Sequence, residues 1–276
     1  MLTQRLSREV ALAEPIGIFD SGIGGVSILI EIRKLLPEED IVYVADSRYC
    51  PYGTKAIDII RERTLKITAF LKSQGAKAIV VACNTACSAG LDEVRIKNPE
   101  LPVIGVEPAV KPAHSITKNG RIGVLSTNLT LSGQRFAMLT EKFGNGVEIF
   151  TQPAPGLADL IDAGKKDAPE TSALLSKYIA PLIAQGIDTL VLGCTHYPFV
   201  RKEIQRLCGN GVAVIDTGEP VAKQTERVLR YRGLLAAREG AAGSVKFFTT
   251  GKGVEVQSTL ASIWSGEIKA VTEIEV

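Results

Sequence analysis

Short apolar, β-branched runs recur along the chain, each bounded by turn or helix-start residues. They lie at 16–19 (IGIF), 41–44 (IVYV), 78–82 (AIVVA), 103–106 (VIGV), 122–125 (IGVL), 147–150 (VEIF), 189–192 (TLVL), 212–215 (VAVI) and 245–248 (VKFF). Most are apolar at every position, the pattern of a strand buried on both faces. Between them, apolar residues step by three and four. Ile57, Ile60, Thr64, Ile67 and Leu71 share one helix face, stopped by Gly75. Leu175, Ile179, Leu182 and Ile183 share another, ended by Gly186. Strands alternating with helices predict an α/β fold of doubly wound parallel sheets.

The pattern also repeats. Residues 76–83 (AKAIVVAC) fall on 187–194 (IDTLVLGC) at an offset of 111, which also carries 103–105 onto 214–216. Residues 16–20 (IGIFD) fall on 122–126 (IGVLS) at an offset of 106. Two similar α/β domains follow, with a site in the cleft between them. The expected division puts residues 1–98 and a returning segment 213–276 in the first domain, and 99–212 in the second. No long Pro/Gly/Ser linker interrupts the chain, so each crossing is short.

Composition narrows the class. Of 276 residues, 45% are hydrophobic and 22% charged, which excludes a disordered or fibrous chain. A net charge of +2, without runs of like charge, argues against a nucleic-acid partner. No apolar run approaches the ~18–20 residues of a membrane span. Arg5, Arg8, Glu9 and Glu14 interrupt any signal-peptide core. Five Cys without paired spacing read as reduced thiols of a cytoplasmic protein, and two His exclude a histidine-rich zinc site. A soluble protein acting on a small molecule is expected.

In a parallel sheet, ligands sit beyond the carboxyl ends of the strands. Those positions carry Asp20-Ser21-Gly22-Ile23-Gly24-Gly25, Cys83-Asn84-Thr85, Ser126-Thr127 and Cys194-Thr195-His196. The repeat makes Cys83 and Cys194 equivalent, so two domains facing each other would bring two thiols to one ligand from opposite sides. Inverting a carbon stereocentre by proton transfer needs a base on one face and an acid on the other. A thiol of pKa ~8.5 serves as either near neutrality. Each Cys is read as ending a strand and opening a helix, where backbone N–H groups favour thiolate. A buried core thiol is the bland reading of either Cys, but it leaves the pairing unexplained. Asp20 is positioned to exchange protons with a thiol or to cap a helix, and His196 to relay protons or stabilise thiolate. Ser21, Asn84, Thr85 and Thr195 offer neutral donors for carboxylates.

Other signals are weaker. Gly22 and Gly24 fail the dinucleotide fingerprint and read as glycines permitting a tight turn and close approach of a small ligand. Pro51-Tyr52-Gly53 is turn chemistry, with a phenol able to reach the cleft. Cys50, Cys87 and Cys208 read as structural, and His114 as a surface residue. No Lys sits at a strand end to anchor pyridoxal phosphate, so no cofactor and no metal is expected. A thiol-nucleophile hydrolase or lyase, and a non-catalytic two-domain binder, remain open on the residues alone.

Taken together, IGIFDSGIGG (16–25), ADSRYCPYG (45–53), VVACNTA (80–86), GVLST (123–127) and VLGCTHYP (191–198) resemble the glutamate racemases of the cofactor-independent aspartate/glutamate racemase family. The stretch from 212 to about 264 also fits, so nearly the whole chain is covered. The resemblance implies interconversion of L- and D-glutamate, supplying D-glutamate for peptidoglycan. It makes Cys83 and Cys194 the acid/base pair and Asp20 and His196 their proton partners. Ser21, Pro51, Tyr52, Gly53, Asn84, Thr85, Thr127 and Thr195 become substrate contacts. It adds two further expectations, a homodimer and a peptidoglycan-precursor effector. The aspartate and hydantoin racemases are the nearest alternatives. Asp162 stands where the family often has Glu, and residues 1–15 precede the family's usual start.

Overall fold

The apolar runs form the strands of two parallel sheets in a computed structural model that describes residues 14–237 and 240–276. In chain order the strands are β1 (Ile16–Asp20), β2 (Ile41–Ala45), β3 (Ala78–Val81), β4 (Val103–Gly105), β5 (Arg121–Ser126), β6 (Glu148–Pro153), β7 (Thr189–Leu192), β8 (Ala213–Ile215), β9 (Val245–Thr249) and β10 (Val271–Glu273). The helices are α1 (Val26–Leu35), α2 (Ile57–Ser73), α3 (Asn84–Lys97), α4 (Val110–Ile116), α5 (Asn128–Ser132), α6 (Gln134–Phe143), α7 (Leu157–Asp162), α8 (Pro169–Ala184), α9 (Arg201–Cys208), α10 (Gly218–Arg232) and α11 (Gly253–Ala261). Residues 1–13, most of the segment set before the family's usual start, lie outside the described residues. Among the described residues, no helix is long and apolar enough to cross a membrane.

One sheet runs β10-β9-β2-β1-β3-β4 and the other β6-β5-β7-β8. The order β2-β1-β3-β4 recurs as β6-β5-β7-β8, so the sequence repeat is a repeat of topology. Every residue of β1, β2, β3 and β7 is buried, as fully apolar runs require.

The expected division misplaces two strands. Val103–Gly105 pairs with β3, and Ala213–Ile215 pairs with β7. The first therefore joins the sheet assigned to 1–98, and the second joins the sheet assigned to 99–212. The physical reason is the crossover: α3 covers its own sheet only if the chain returns to the strand next to β3. A division at 98/99 cuts that unit in half. The returning segment does reach the first sheet, where β9 pairs with β2. The short edge strand β10 carries too little apolar pattern to be read from sequence.

Helix faces follow the spacing with two exceptions. Ile60, Thr64, Ile67 and Leu71 are buried on α2, and Leu175, Ile179 and Leu182 on α8. Ile57 and Ile183, at opposite ends of their helices, are exposed. Gly75 and Gly186 end these helices at φ of +77° and +71°, a left-handed turn that a side chain resists.

Candidate active site

The carboxyl ends of β1 and β3 in one sheet face those of β5 and β7 in the other. Cys83 follows β3 and is the N-cap of α3, its Sγ accepting the Ala86 N–H at 3.5 Å. Ser21 Oγ lies 3.8 Å away. Burial, and then the charge of Asp20, hold this thiol well above its ordinary value in spite of those donors. Cys194 follows β7 but opens no α-helix. A short 3-10 turn, Tyr197–Val200, comes next, and α9 begins only at Arg201. Its neighbour is instead His196, whose Nδ1 lies 3.8 Å from Cys194 Sγ. The expected equivalence thus holds for the position of the two sulfurs and fails for their support: a helix N-terminus serves one, an imidazole the other.

His196 Nε2 lies 3.0 Å from Asp162 Oδ1, which also accepts the Ile23 N–H at 2.8 Å. Burial works against a charged His196, yet its bonds to Asp162 and Cys194 carry its pKa well above the ordinary imidazole value. Burial likewise opposes the Asp162 carboxylate, and His196 with the Ile23 N–H brings its pKa down. His196 thus stands between the two groups, Nε2 toward the Asp162 carboxyl and Nδ1 toward one thiol.

Asp20 is fully buried, one layer behind the thiols. Its Oδ1 accepts the Gly22 N–H at 2.9 Å, and its Oδ2 accepts the Thr195 hydroxyl at 2.9 Å. It caps no α-helix, since Gly25 is the N-cap of α1. Burial raises its pKa, opposed chiefly by His196.

Both sulfurs border one hollow of about 20 Å³, with Ser21, Pro51, Tyr52, Gly53, Asn84, Thr85, Thr127, Thr195 and His196 around it. Of the residues expected from the family resemblance to be acid/base groups, proton partners or substrate contacts, Asp20 alone does not border it. Such a space holds about one water molecule. As it stands, the hollow is smaller than an amino acid. Asn84 is buried, and neither its Oδ1 nor its Nδ2 has a hydrogen-bond partner among the described residues. Leaving a buried amide unpaired costs about 1–3 kcal/mol per group, so a ligand with both donor and acceptor atoms is the natural complement. The Thr85 and Thr127 hydroxyls, 3.1 Å apart, bridge the two halves.

Tyr52 borders the hollow, and its hydroxyl is engaged by the protein. It donates to Asp46 Oδ2 at 2.5 Å, and Arg63 grips both oxygens of Asp46 at 3.0 Å. Thr250 Oγ1 donates to the same carboxylate at 2.7 Å. This buried network holds the 51–53 loop against the hollow. Sequence reasoning left out Asp46 as a functional residue, although it lies inside the quoted ADSRYCPYG stretch. Arg63, on a helix elsewhere, carries no local signal at all. Ala158 and Gly193 also border the hollow unannounced, being small and apolar.

Gly22 and Gly24 do make room, but for protein. A Cβ on Gly22 would overlap the Asp162 carboxylate, and one on Gly24 the His196 ring. The Gly24→Ala variant is expected to fold, push His196 aside and lose about 10²-fold in kcat/KM, the cost of an ångström's misplacement. Unchanged turnover in a variant with native circular dichroism would show that His196 tolerates the shift.

Residues 24–225 match the family model described as Asp/Glu/Hydantoin racemase. The chain belongs to the Asp/Glu/Hydantoin racemase family. It is a racemase, an isomerase. This racemase is 50% identical over 249 residues to a glutamate racemase of Pseudomonas aeruginosa, covering 90% of this chain and 93% of that protein. Its fold superposes on a glutamate racemase isoform of Bacillus anthracis with a TM-score of 0.87 at 31% identity, over 95% of this chain and 98% of the other. The Escherichia coli glutamate racemase, in complex with L-glutamate and the activator UDP-MurNAc-Ala, gives a TM-score of 0.82 at 30% identity, over 95% and 99%.

Proposed function

We propose that this racemase interconverts L- and D-glutamate by passing the α-proton between Cys83 and Cys194, with no cofactor, and so supplies D-glutamate for peptidoglycan in the cytoplasm. The observation that carries the reading is that sulfurs from two different sheets border one hollow. One thiolate removes the proton from one face of the α-carbon while the other thiol delivers a proton to the opposite face. Their roles exchange when the other enantiomer enters.

The surroundings suit the two difficulties of this step. Thiolate must form at Cys83, where burial resists it. An amino acid brings an α-ammonium, and a positive charge beside a thiol lowers its pKa. Removing the proton then builds enolate-like charge on the α-carboxylate. Hydroxyl and amide donors from Ser21, Asn84 and Thr85, with Thr195 contributing through its backbone N–H because its hydroxyl is given to Asp20, are held in place before reaction and stabilise that charge. Among the described residues no lysine or arginine borders the hollow, so both carboxylates are read as held by neutral donors. His196 with Asp162 buffers the proton on Cys194, and Asp20 serves the Cys83 side through Ser21. A homodimer and a peptidoglycan-precursor effector belong to the same reading.

L-glutamate incubated in deuterated water with purified protein alone is expected to lose its circular dichroism. The D-glutamate formed carries deuterium at the α-carbon, and L-glutamate recovered early carries little. Equal early labelling of both enantiomers would mean one shared base and remove the two-thiol mechanism. A stable dichroism signal for glutamate, with loss for aspartate in the same panel, would overturn the substrate.

A further inference from the structure

Beyond the two thiols, a second cluster of chemically capable atoms lies on the far side of His196. Cys50, Asp162 and His196 come from three elements: the loop after β2, the end of α7 and the segment after β7. They place a sulfur, a carboxylate oxygen and an imidazole nitrogen all within 4.8 Å of one another. A tetrahedral zinc-class ion takes such ligands at about 2.0–2.3 Å. Side-chain movements of about an ångström therefore suffice to close the three atoms on one ion.

The site also has an entry path. Cys50 and Asp162 line a surface cavity of about 840 Å³, separate from the hollow between the thiols. The local field favours a cation. Burial, and then the charges of Asp162 and Asp20, hold the Cys50 thiol well above its ordinary value, and the same negative charges attract a divalent ion. Lys252, also on the cavity wall, is paired with Glu255 at 2.8 Å. The Ile23 N–H at 2.8 Å fixes the Asp162 carboxylate from behind, the kind of support that orients metal ligands.

We propose that Cys50, Asp162 and His196 form an inhibitory site for a thiophilic divalent cation such as zinc, with water from the cavity as fourth ligand. Binding displaces the protons of the Cys50 thiol and of His196 Nε2 to solvent, and the ion takes their places. His196 bound through Nε2 no longer gains or loses a proton there. Resting on the proton-buffer role given to His196 above, the ion therefore slows turnover without touching either reacting thiol.

Cobalt(II) is the probe for the site itself. Titrated into the whole protein under argon, it is expected to give a near-ultraviolet thiolate-to-cobalt absorption that saturates at one ion per chain. Cys50→Ala and Cys50→Ser are both expected to lose this band. Each should also resist zinc about tenfold or more, measured against its own metal-free rate. The same cobalt spectrum in both variants would place the ion on a thiol other than Cys50 and overturn the proposal. So would no thiolate absorption in the wild type. The spectrum needs no turnover, so a protein that bound cobalt through Cys50 yet left glutamate unchanged would count against the racemase mechanism and not against the metal site.

Discussion

Cys83→Ala and Cys194→Ala are each expected to lower kcat/KM for glutamate by roughly 10³-fold or more, within and above the range a single general acid or base contributes. Each variant retains one of the two groups that must act on opposite faces, and water in so confined a hollow cannot substitute. Because the enantiomers have equal free energy, kcat/KM must fall by the same factor in both directions. The two variants differ in kcat and KM taken separately, since Cys83 rests on a helix N-terminus and Cys194 beside His196. Each purified variant should keep native circular dichroism. Residual racemisation above a tenth of wild type in either one would refute the assignment of that thiol.

The largest effect on stability is expected at Asp46→Ala. The Asp46 side chain is fully buried and that of Arg63 is 4% exposed, so the substitution leaves a buried guanidinium without its carboxylate. Breaking a buried pair in this way costs about 3–5 kcal/mol. The urea midpoint should fall accordingly, and KM for glutamate should rise as Tyr52 loses the acceptor that holds its loop. The double variant Asp46→Leu with Arg63→Met should recover much of the stability, because both charges are removed together. It should not recover KM, because Tyr52 still lacks an acceptor. A single variant within 1 kcal/mol of wild type would show that Tyr49, stacked 4.2 Å below the Arg63 guanidinium, and the Val276 backbone oxygen, which accepts from Arg63 Nη1, already satisfy that charge.

How far the chain could be read depends on the range over which each feature is encoded. Strands announced themselves because burial on both faces leaves only apolar residues over four or five positions. Placing Cys83 and Cys194 needed no more than that, since ligand positions in parallel sheets lie just past the strand ends. The edge strand β10, buried on neither face, left no such mark. Which sheet took β4 and β8 was written in the repeat offset, which carries 103–105 onto 214–216, but not in the spacing of any linker.

Other features belong to pairs of residues far apart in the chain. Ile23 meets Asp162 across 139 positions, and Asp20 meets Thr195 across 175. Neither contact has a periodicity. Gly24 alone is compatible with a ligand, a turn or another chain segment, and only the approach of His196 decides among them. Tyr52 reads as a group free to enter the cleft until Asp46 and Arg63 are seen holding it. Local pattern thus settled where the backbone runs and where reactive side chains emerge, because hydrophobic burial acts residue by residue. What each of those side chains touches, and therefore how its proton is held, came from bringing the carboxyl ends of two sheets face to face, a consequence of the whole chain that no short stretch contains.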